Sequence, residues 1–395
     1  MKIDHVEIRY LESKLNKPFG WSQRWTDIRN VILLKIVTDE GISGWGETYG
    51  SYDSLNEISS ISSMIIDQNP NNYEMIWNKL HRSLYQSHMF AKSGINAISA
   101  IDTALLDIVG KSRKISVSEV LGGRTHESIP VYATGLYYVD DYALTPLLKE
   151  AELYVEEGFS GMKMKVGALS LKEDAERIMH VRNTIGDSIN LMFDANESYD
   201  PISAIKLSKM VSKYDITWFE EPCASRDDSS NKLVQEQSDI PISGGESLST
   251  RWEFSKRISK RIFDIIQPDI CSVGGISEMR KVGIIAQSFG VKFNPHFWGT
   301  GISFAAALHS LSNQPINQIG QNNFPYQNES VLEFDQTPHP IREAITTQFN
   351  ITKASRVIVP FSEGLGIEID ENAVNHFTIG ETRIVKDKSN KQLKF

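Results

Sequence analysis

Lys165, Asp194, Glu220, Glu246, Asp269 and His296 follow one another along the chain at intervals of 29, 26, 26, 23 and 27 residues, with Lys163 two places before the first and Glu333 beyond the last. Residues of these types do chemistry when they meet. Three carboxylates standing side by side repel one another unless a hard cation sits between them, and an all-oxygen set suits Mg²⁺, which keeps water ligands, better than zinc. Two lysines one residue apart on a strand share a face, so Lys163 and Lys165 would enter the same site together. A histidine paired with an aspartate is a proton-transfer group held in one tautomer. Taken singly, each has an ordinary reading: a KxK on a strand is usually a solvated edge, a strand-end acid a helix cap or ion-pair partner, a lone histidine a structural one. Those readings leave unexplained why the residues recur on consecutive repeats.

The elements that must position them are legible in the same stretch. From residue 129 the chain alternates short apolar runs with longer amphipathic segments. The runs are IPVYATGL, GMKMKVG, INLMFDAN, ITWFEEP, IPISGGES, FDIIQPDI, VKFNPH and SVLEFD; segments such as LKEDAERIMHVRNTIG and PISAIKLSKMVSKY separate them. Eight strands with mostly single helices between them predict βα repeats and a parallel sheet, and eight such units close into a barrel. Each run carries a charged or polar residue near its C-terminal end, and in a barrel those ends gather at one mouth, where active sites lie.

The first 125 residues read differently, as α+β. IDHVEIRYLE alternates, NVILLKIVTDEGISGWGE places apolar runs on either side of a DEG turn as in a hairpin, and helical periodicity follows in YEMIWNKLHRSLY and INAISAIDTALLDIVGK. The expected division is therefore an N-terminal α+β domain over 1–125, a barrel over 126–355 and a tail over 356–395, whose RVIVPFSEGLGIEID is expected to pack back on the first domain.

Composition narrows the function classes. With 41 basic and 50 acidic residues and a net charge of −9, the chain offers no basic stripe for a nucleic acid backbone. The N-terminus lacks the apolar core of a signal peptide and no segment reads as a membrane span, so a cytoplasmic protein with no membrane partner is expected. Two cysteines, Cys223 and Cys271, are too few for a disulfide framework. No strand is followed by GxGxxG and no GxxxxGK[ST] loop occurs, so neither nucleotide cofactor class is supported.

As a set, KMK, FDAN, FEEP, GGES, QPD, NPHFWGTG and LEFD resemble the motifs of the mandelate racemase-like subgroup of the enolase superfamily, over nearly the whole chain. ATGLYY, STRWEF, GGISEM and LEFDQTPHP look most like its sugar-acid dehydratases and sugar-acid lactone cycloisomerases. The resemblance implies a (β/α)7β modified TIM barrel with an N-terminal capping domain, Mg²⁺ on Asp194, Glu220 and Glu246, and Lys165 and His296 on opposite faces of a small-molecule sugar acid. Family members commonly form dimers or octamers, so a homo-oligomer is implied as well.

The implied chemistry is removal of the proton α to a carboxylate. Lys163, beside that carboxylate, would add fixed positive charge, and with the cation would lower the pKa of Lys165, the base on one face. On the other face Asp269 would orient His296, while Glu333, if held protonated, would donate to the enediolate. A dehydratase then expels the β-hydroxyl, a cycloisomerase a ring oxygen, and a racemase returns the proton to the opposite face. A non-catalytic sugar-acid-binding barrel is the alternative from another class. Specificity is expected from the cap, where PFGWSQRW and ETYGSY would close over the mouth and offer Trp21, Arg24, Trp25 and Tyr52, with Asn196 and Trp298 beside the metal ligand and the base.

Overall fold

The computed structural model describes residues 1–86, 92–314, 322 and 324–387. Its first layer is a four-stranded antiparallel sheet in which β1 (Ile3–Gly20) pairs with β2 (Trp25–Thr38) and β2 with β3 (Ser43–Thr48). The expected DEG turn joins β2 to β3. On one face of this sheet lie the helices Leu55–Ser62, Tyr73–Gln86 and Lys92–Arg113 around a core of Ile, Leu and Val side chains. Gly44 and Gly46 let the long helix come this close: a Cβ on either would stand 2.1 Å from the Ala104 carbonyl oxygen or 1.9 Å from that of Ala100. That helix is apolar and long enough to cross a membrane, but 94% of its most apolar window is buried inside the protein, as befits a core helix.

Eight parallel strands follow: β4 (Ser128–Thr134), β5 (Gly161–Lys165), β6 (Asn190–Asp194), β7 (Ile216–Glu220), β8 (Ile242–Gly244), β9 (Ile265–Ile266), β10 (Lys292–Phe293) and β11 (Leu332–Asp335). They neighbour one another in chain order, and β11 returns to pair with β4. The ring is completed where Glu333 N–H donates to the Pro295 carbonyl, 3.4 Å away. At one end the interior is filled by Tyr132, Met192, Trp218, Ile265, Tyr326 and Val331. This is the barrel with an α+β cap that the sequence predicts.

The tail divides between the two units. β12 (Arg356–Ile358) runs antiparallel to β4 on the barrel, whereas Gly364 bonds with Ile115 and Val117 of the cap, Leu365 N–H donates to Asp107, Ile379 N–H donates to the Tyr10 carbonyl, and β13 (Arg383–Val385) pairs with β1.

Cap and barrel are joined close to the strand tips. Thr48, the last residue of β3, donates its hydroxyl to the Cys271 carbonyl (2.8 Å), and Glu47 accepts from the Thr300 backbone at 2.7 Å. Trp77 Nε1 donates to the Gly274 carbonyl (2.8 Å), and Asp102 accepts from both the N–H and the hydroxyl of Ser277. Both segments that follow the barrel's sixth and seventh strands are therefore fixed from above by the cap.

Candidate active site

Strand register sets the height of the charged residues. Lys165 is the direct partner of Asp194 in the β5–β6 ladder, and Asp194 the partner of Glu220 in β6–β7. Glu220 in turn faces Ser243, and Glu246 follows three residues on, just past β8. One oxygen from each of Asp194, Glu220 and Glu246 lies within 4.8 Å of the others. The last two members lie beyond short strands: β9 and β10 end before Pro268 and Pro295, which have no N–H for a ladder. Past those prolines a single parallel bridge joins Asp269 to His296.

Ion pairs link the set. Lys165 Nζ sits 2.5 Å from Asp194 Oδ2, at one end of the triad, and His296 Nε2 sits 3.3 Å from Glu246 Oε2, at the other. Asp269 Oδ2 holds His296 Nδ1 at 2.6 Å and accepts from the Tyr49 hydroxyl at 2.8 Å, while its Oδ1 accepts from Cys271 N–H. Nε2 is thus left as the nitrogen turned to the triad. Lys165 and His296 line one cavity of about 260 Å³, together with Glu246 and Asp269. Trp21, Asn30 and Tyr49 of the cap close it from the other side.

The carboxylates are short of positive charge. Burial, with Asp194, Glu333 and Glu246 nearby, pushes the Glu220 carboxyl up to about 7 even though Lys163 lies 2.5 Å away. Three converging oxygen donors with an incompletely balanced charge fit a hard divalent cation, and the absence of sulfur or imidazole from the triad favours Mg²⁺ over zinc.

Similarity now places the chain. Residues 5–122 match the N-terminal domain of the mandelate racemase / muconate lactonizing enzyme family, and residues 147–373 match the enolase C-terminal domain-like family. The chain belongs to the mandelate racemase / muconate lactonizing enzyme family of the enolase superfamily. It is 35% identical to the D-galactarolactone cycloisomerase of Agrobacterium fabrum, over 95% of this chain and 99% of that one. It is 31% identical to the arabinonate dehydratase of Saccharolobus solfataricus, over 88% and 90%. Among solved structures, the 3,6-anhydro-D-galactonate cycloisomerase of Zobellia galactanivorans superposes with a TM-score of 0.85 at 33% identity, covering 96% of this chain and all of that one.

Within this family member, the expected residues fall into three groups. Lys165, Asp194, Glu220, Glu246, Asp269 and His296 come together. Asn196, Trp298 and Trp21 line the cavity, the two indoles meeting edge to face with centroids 5.9 Å apart. The loop bearing Trp21 is tied down beside Asp194: Ser22 donates to the Ala195 carbonyl and Gln23 to that of Asn196.

Two expected placements differ here, those of Lys163 and Glu333. Lys163 does not face the cavity: its ammonium is fully enclosed between Glu220 (2.5 Å) and Glu333 (2.9 Å), so it balances carboxylates and is not beside the bound acid. Glu333 is not a donor. Burial alone would raise it, but Lys163 and His296 outweigh that and hold its carboxyl below the usual range, so it stays ionised and accepts from Phe297 N–H. Burial disfavours the charge of Lys165 and Lys163 repels it, while Asp194 and Tyr137 prevail and raise its pKa. His296 is likewise pushed up to about 10, with burial opposing and Glu246, Glu333 and Asp269 prevailing.

Three cap residues also lie elsewhere. Tyr52 packs edge to face on Tyr10 with Arg383 above it, on the outer side of the cap, because the turn Tyr52–Ser54 swings it away from the mouth. Arg24 is exposed and covers the Trp21 ring at 5.0 Å without lining the cavity, and Trp25 turns outward against Tyr142. The tyrosine that reaches the site from ETYGSY is Tyr49, placed by the anchored end of β3. Sequence reasoning also missed Tyr137, whose buried ring lies 5.0 Å from Lys165 Nζ. Its hydroxyl has no hydrogen-bond partner among the described residues, and burial raises its pKa, so it is a proton donor at neutral pH.

Proposed function

We propose that the protein is a Mg²⁺-dependent sugar-acid dehydratase that takes the proton α to the carboxylate of an aldonic or aldaric acid and expels the β-hydroxyl as water, leaving a 2-keto-3-deoxy sugar acid. The observation that carries the reading is the placing of Lys165 and His296 at the two ends of one carboxylate triad on a single cavity. Two proton-transfer groups on either side of a bound acid suit a reaction that removes one proton and delivers another.

An α-proton is weakly acidic because its loss concentrates a second negative charge on the carboxylate, and that charge must be met as it develops. Asp194, Glu220 and Glu246 would hold Mg²⁺, which would supply Lewis acidity there and balance carboxylate charge that favours the protonated forms of Lys165 and His296. Lys165 accepts the proton from C2 on its own face. His296, its Nδ1 held by Asp269, delivers a proton from Nε2 to the C3 hydroxyl; the C3–O bond breaks, water leaves, and the C2–C3 enol tautomerises to the ketone. With the opposite configuration at C2 the two residues exchange parts.

The walls suit a hydroxylated chain. Trp298 Nε1 is a buried donor and Asn196 Oδ1 a buried acceptor, both without partners among the described residues. Vicinal hydroxyls, each donor and acceptor, satisfy both, whereas a hydrocarbon acid leaves both unpaired. Two free buried thiols agree with residence in the reducing cytoplasm.

A second reading is cycloisomerisation, favoured by the similarity to the galactarolactone and anhydro-galactonate cycloisomerases. The same two residues then expel a ring oxygen and no water forms. Incubating aldonic, aldaric and lactone or anhydro substrates with enzyme and Mg²⁺ in D₂O separates the outcomes. Keto-deoxy acids with loss of water support the dehydratase, and ring opening with no loss of water supports the cycloisomerase. Exchange at C2 without either product makes it a racemase, and no deuterium in any bound acid overturns catalysis altogether.

A further inference from the structure

An exposed lysine that lines the cavity is not used by the chemistry above. Lys92, the first residue of the helix Lys92–Arg113, reaches the same cavity as Lys165 and His296, but from the cap. The other cations near the mouth are committed. Lys163 is enclosed between Glu220 and Glu333, Arg29 is paired with Asp335 at 2.8 Å, and Arg24 lies outside on Trp21. Lys92 has no ion-pair partner among the described residues.

Its helix is fixed where it matters. Asn96, one turn further on, donates to the backbone carbonyl of Tyr49 at 3.1 Å, and Tyr49 in turn holds Asp269. Ser99 accepts from Gly274 N–H at 2.9 Å. The root of Lys92 is therefore tied, through the residues that orient His296, to the reacting end of the cavity. In an acidic protein of net charge −9, an unpaired ammonium facing a cavity that already has a carboxylate-binding floor is placed to meet a second anion. Lysine serves this as a compact charge on a flexible stem, able to follow a group that moves as the site fills.

We propose that Lys92 selects substrates with a carboxylate at each end, aldaric rather than aldonic acids: one carboxylate would meet the cation that Asp194, Glu220 and Glu246 would hold, the other Lys92. The proposal rests on the sugar-acid reading above, and the two fail separately in the following test.

Matched pairs, galactarate with galactonate and glucarate with gluconate, are compared on the Mg²⁺-loaded protein and on Lys92→Met and Lys92→Arg, by steady-state turnover and by calorimetric binding. The wild type is expected to favour the diacid by about tenfold or more in both Kd and kcat/KM. Lys92→Met should remove that preference while changing the monoacid by less than about twofold, and Lys92→Arg should retain it. Equal use of both acids by the wild type, or an equal loss for both in Lys92→Met, overturns the assignment. If nothing is turned over or exchanged yet the diacid still binds in a Lys92-dependent manner, the dehydratase reading falls and the assignment of Lys92 stands.

Discussion

At the scale of single residues, Lys165 and His296 are distinguished by which hand of substrate each serves. Lys165→Met and His296→Asn should each lower kcat by about 10²–10⁴. Each should also keep α-proton exchange, followed by NMR in D₂O, for only one of two C2 epimers, and not the same one. Loss of exchange for both epimers in both variants would place the two groups on one face and end the two-sided mechanism. Tyr137→Phe tests a group the sequence did not single out. Phenylalanine keeps the edge-to-face contact with Phe19 and the ring beside Lys165, so stability should change little. Removing a donor from the bound acid should lower kcat/KM by about 10- to 100-fold, and an unchanged value would make the hydroxyl a bystander. The charged residues were legible because a carboxylate or lysine at the tip of an apolar strand is anomalous. Tyr137 and Tyr49 were not, because an aromatic just past a strand reads as core. The roles given to Lys163 and Glu333 failed for another reason. Sequence places a side chain on a face but not its partners, and these two neutralise each other.

At the scale of elements, the spacing of about one βα unit translates directly into register: Lys165, Asp194 and Glu220 are consecutive ladder partners. The sixth and seventh strands, expected to run through FDIIQPDI and VKFNPH, shrink to two residues each because proline interrupts them. The dyad is carried instead by turns that depend on outside support. That support comes from the cap helix Lys92–Arg113 through Asp102, and it is sensitive to pH. Burial raises the Asp102 carboxyl from 3.8 to about 7, against the opposing hydrogen bonds from Ser277. The folded protein therefore retains a proton that the unfolded chain releases earlier. Its contribution to stability is complete below about pH 3.8 and is lost as pH rises through 7. A shift of this size corresponds to at most about 4 kcal/mol. Asp102→Asn mimics the protonated acid: its oxygen accepts from Ser277 N–H and its amide donates to the hydroxyl. In urea titrations the variant should match the wild type near pH 4 and exceed it by about 1–3 kcal/mol at pH 8. A variant less stable at pH 8 would show that Asp102 is ionised in the folded protein.

At the scale of the whole molecule, the two-unit plan was visible as a change from hairpin and helix patterns to a repeating βα period. The tail was less so: three-residue strands such as β12 and β13 carry too little pattern to show which sheet they join. The charge balance of the centre is a property of the assembled barrel alone, since it joins residues from seven strand tips with the cap above. Lys163 pairs with Glu220 and Glu333, and Lys165 with Asp194, so much of the negative charge is met within the protein and the fold should survive without a cation. Glu246, with its side chain 25% exposed against 0% for Asp194 and 1% for Glu220, is the open side through which one enters. Chelation should therefore abolish turnover without unfolding the protein. Restoring Mg²⁺ to a hundredfold excess over its dissociation constant should add about 2.7 kcal/mol, seen as a rise of several degrees in Tm. Glu246→Gln should fold with a similar Tm in chelator and lose most of the Mg²⁺-dependent rise, because the open position then lacks its charge. If Mg²⁺ leaves the melting curve of the wild type unmoved, or if zinc stabilises it more at equal concentration, the three carboxylates do not form a site for a hard cation. Lys165 and His296 would then remain held in their ion pairs with Asp194 and Glu246, unable to exchange a proton with a substrate.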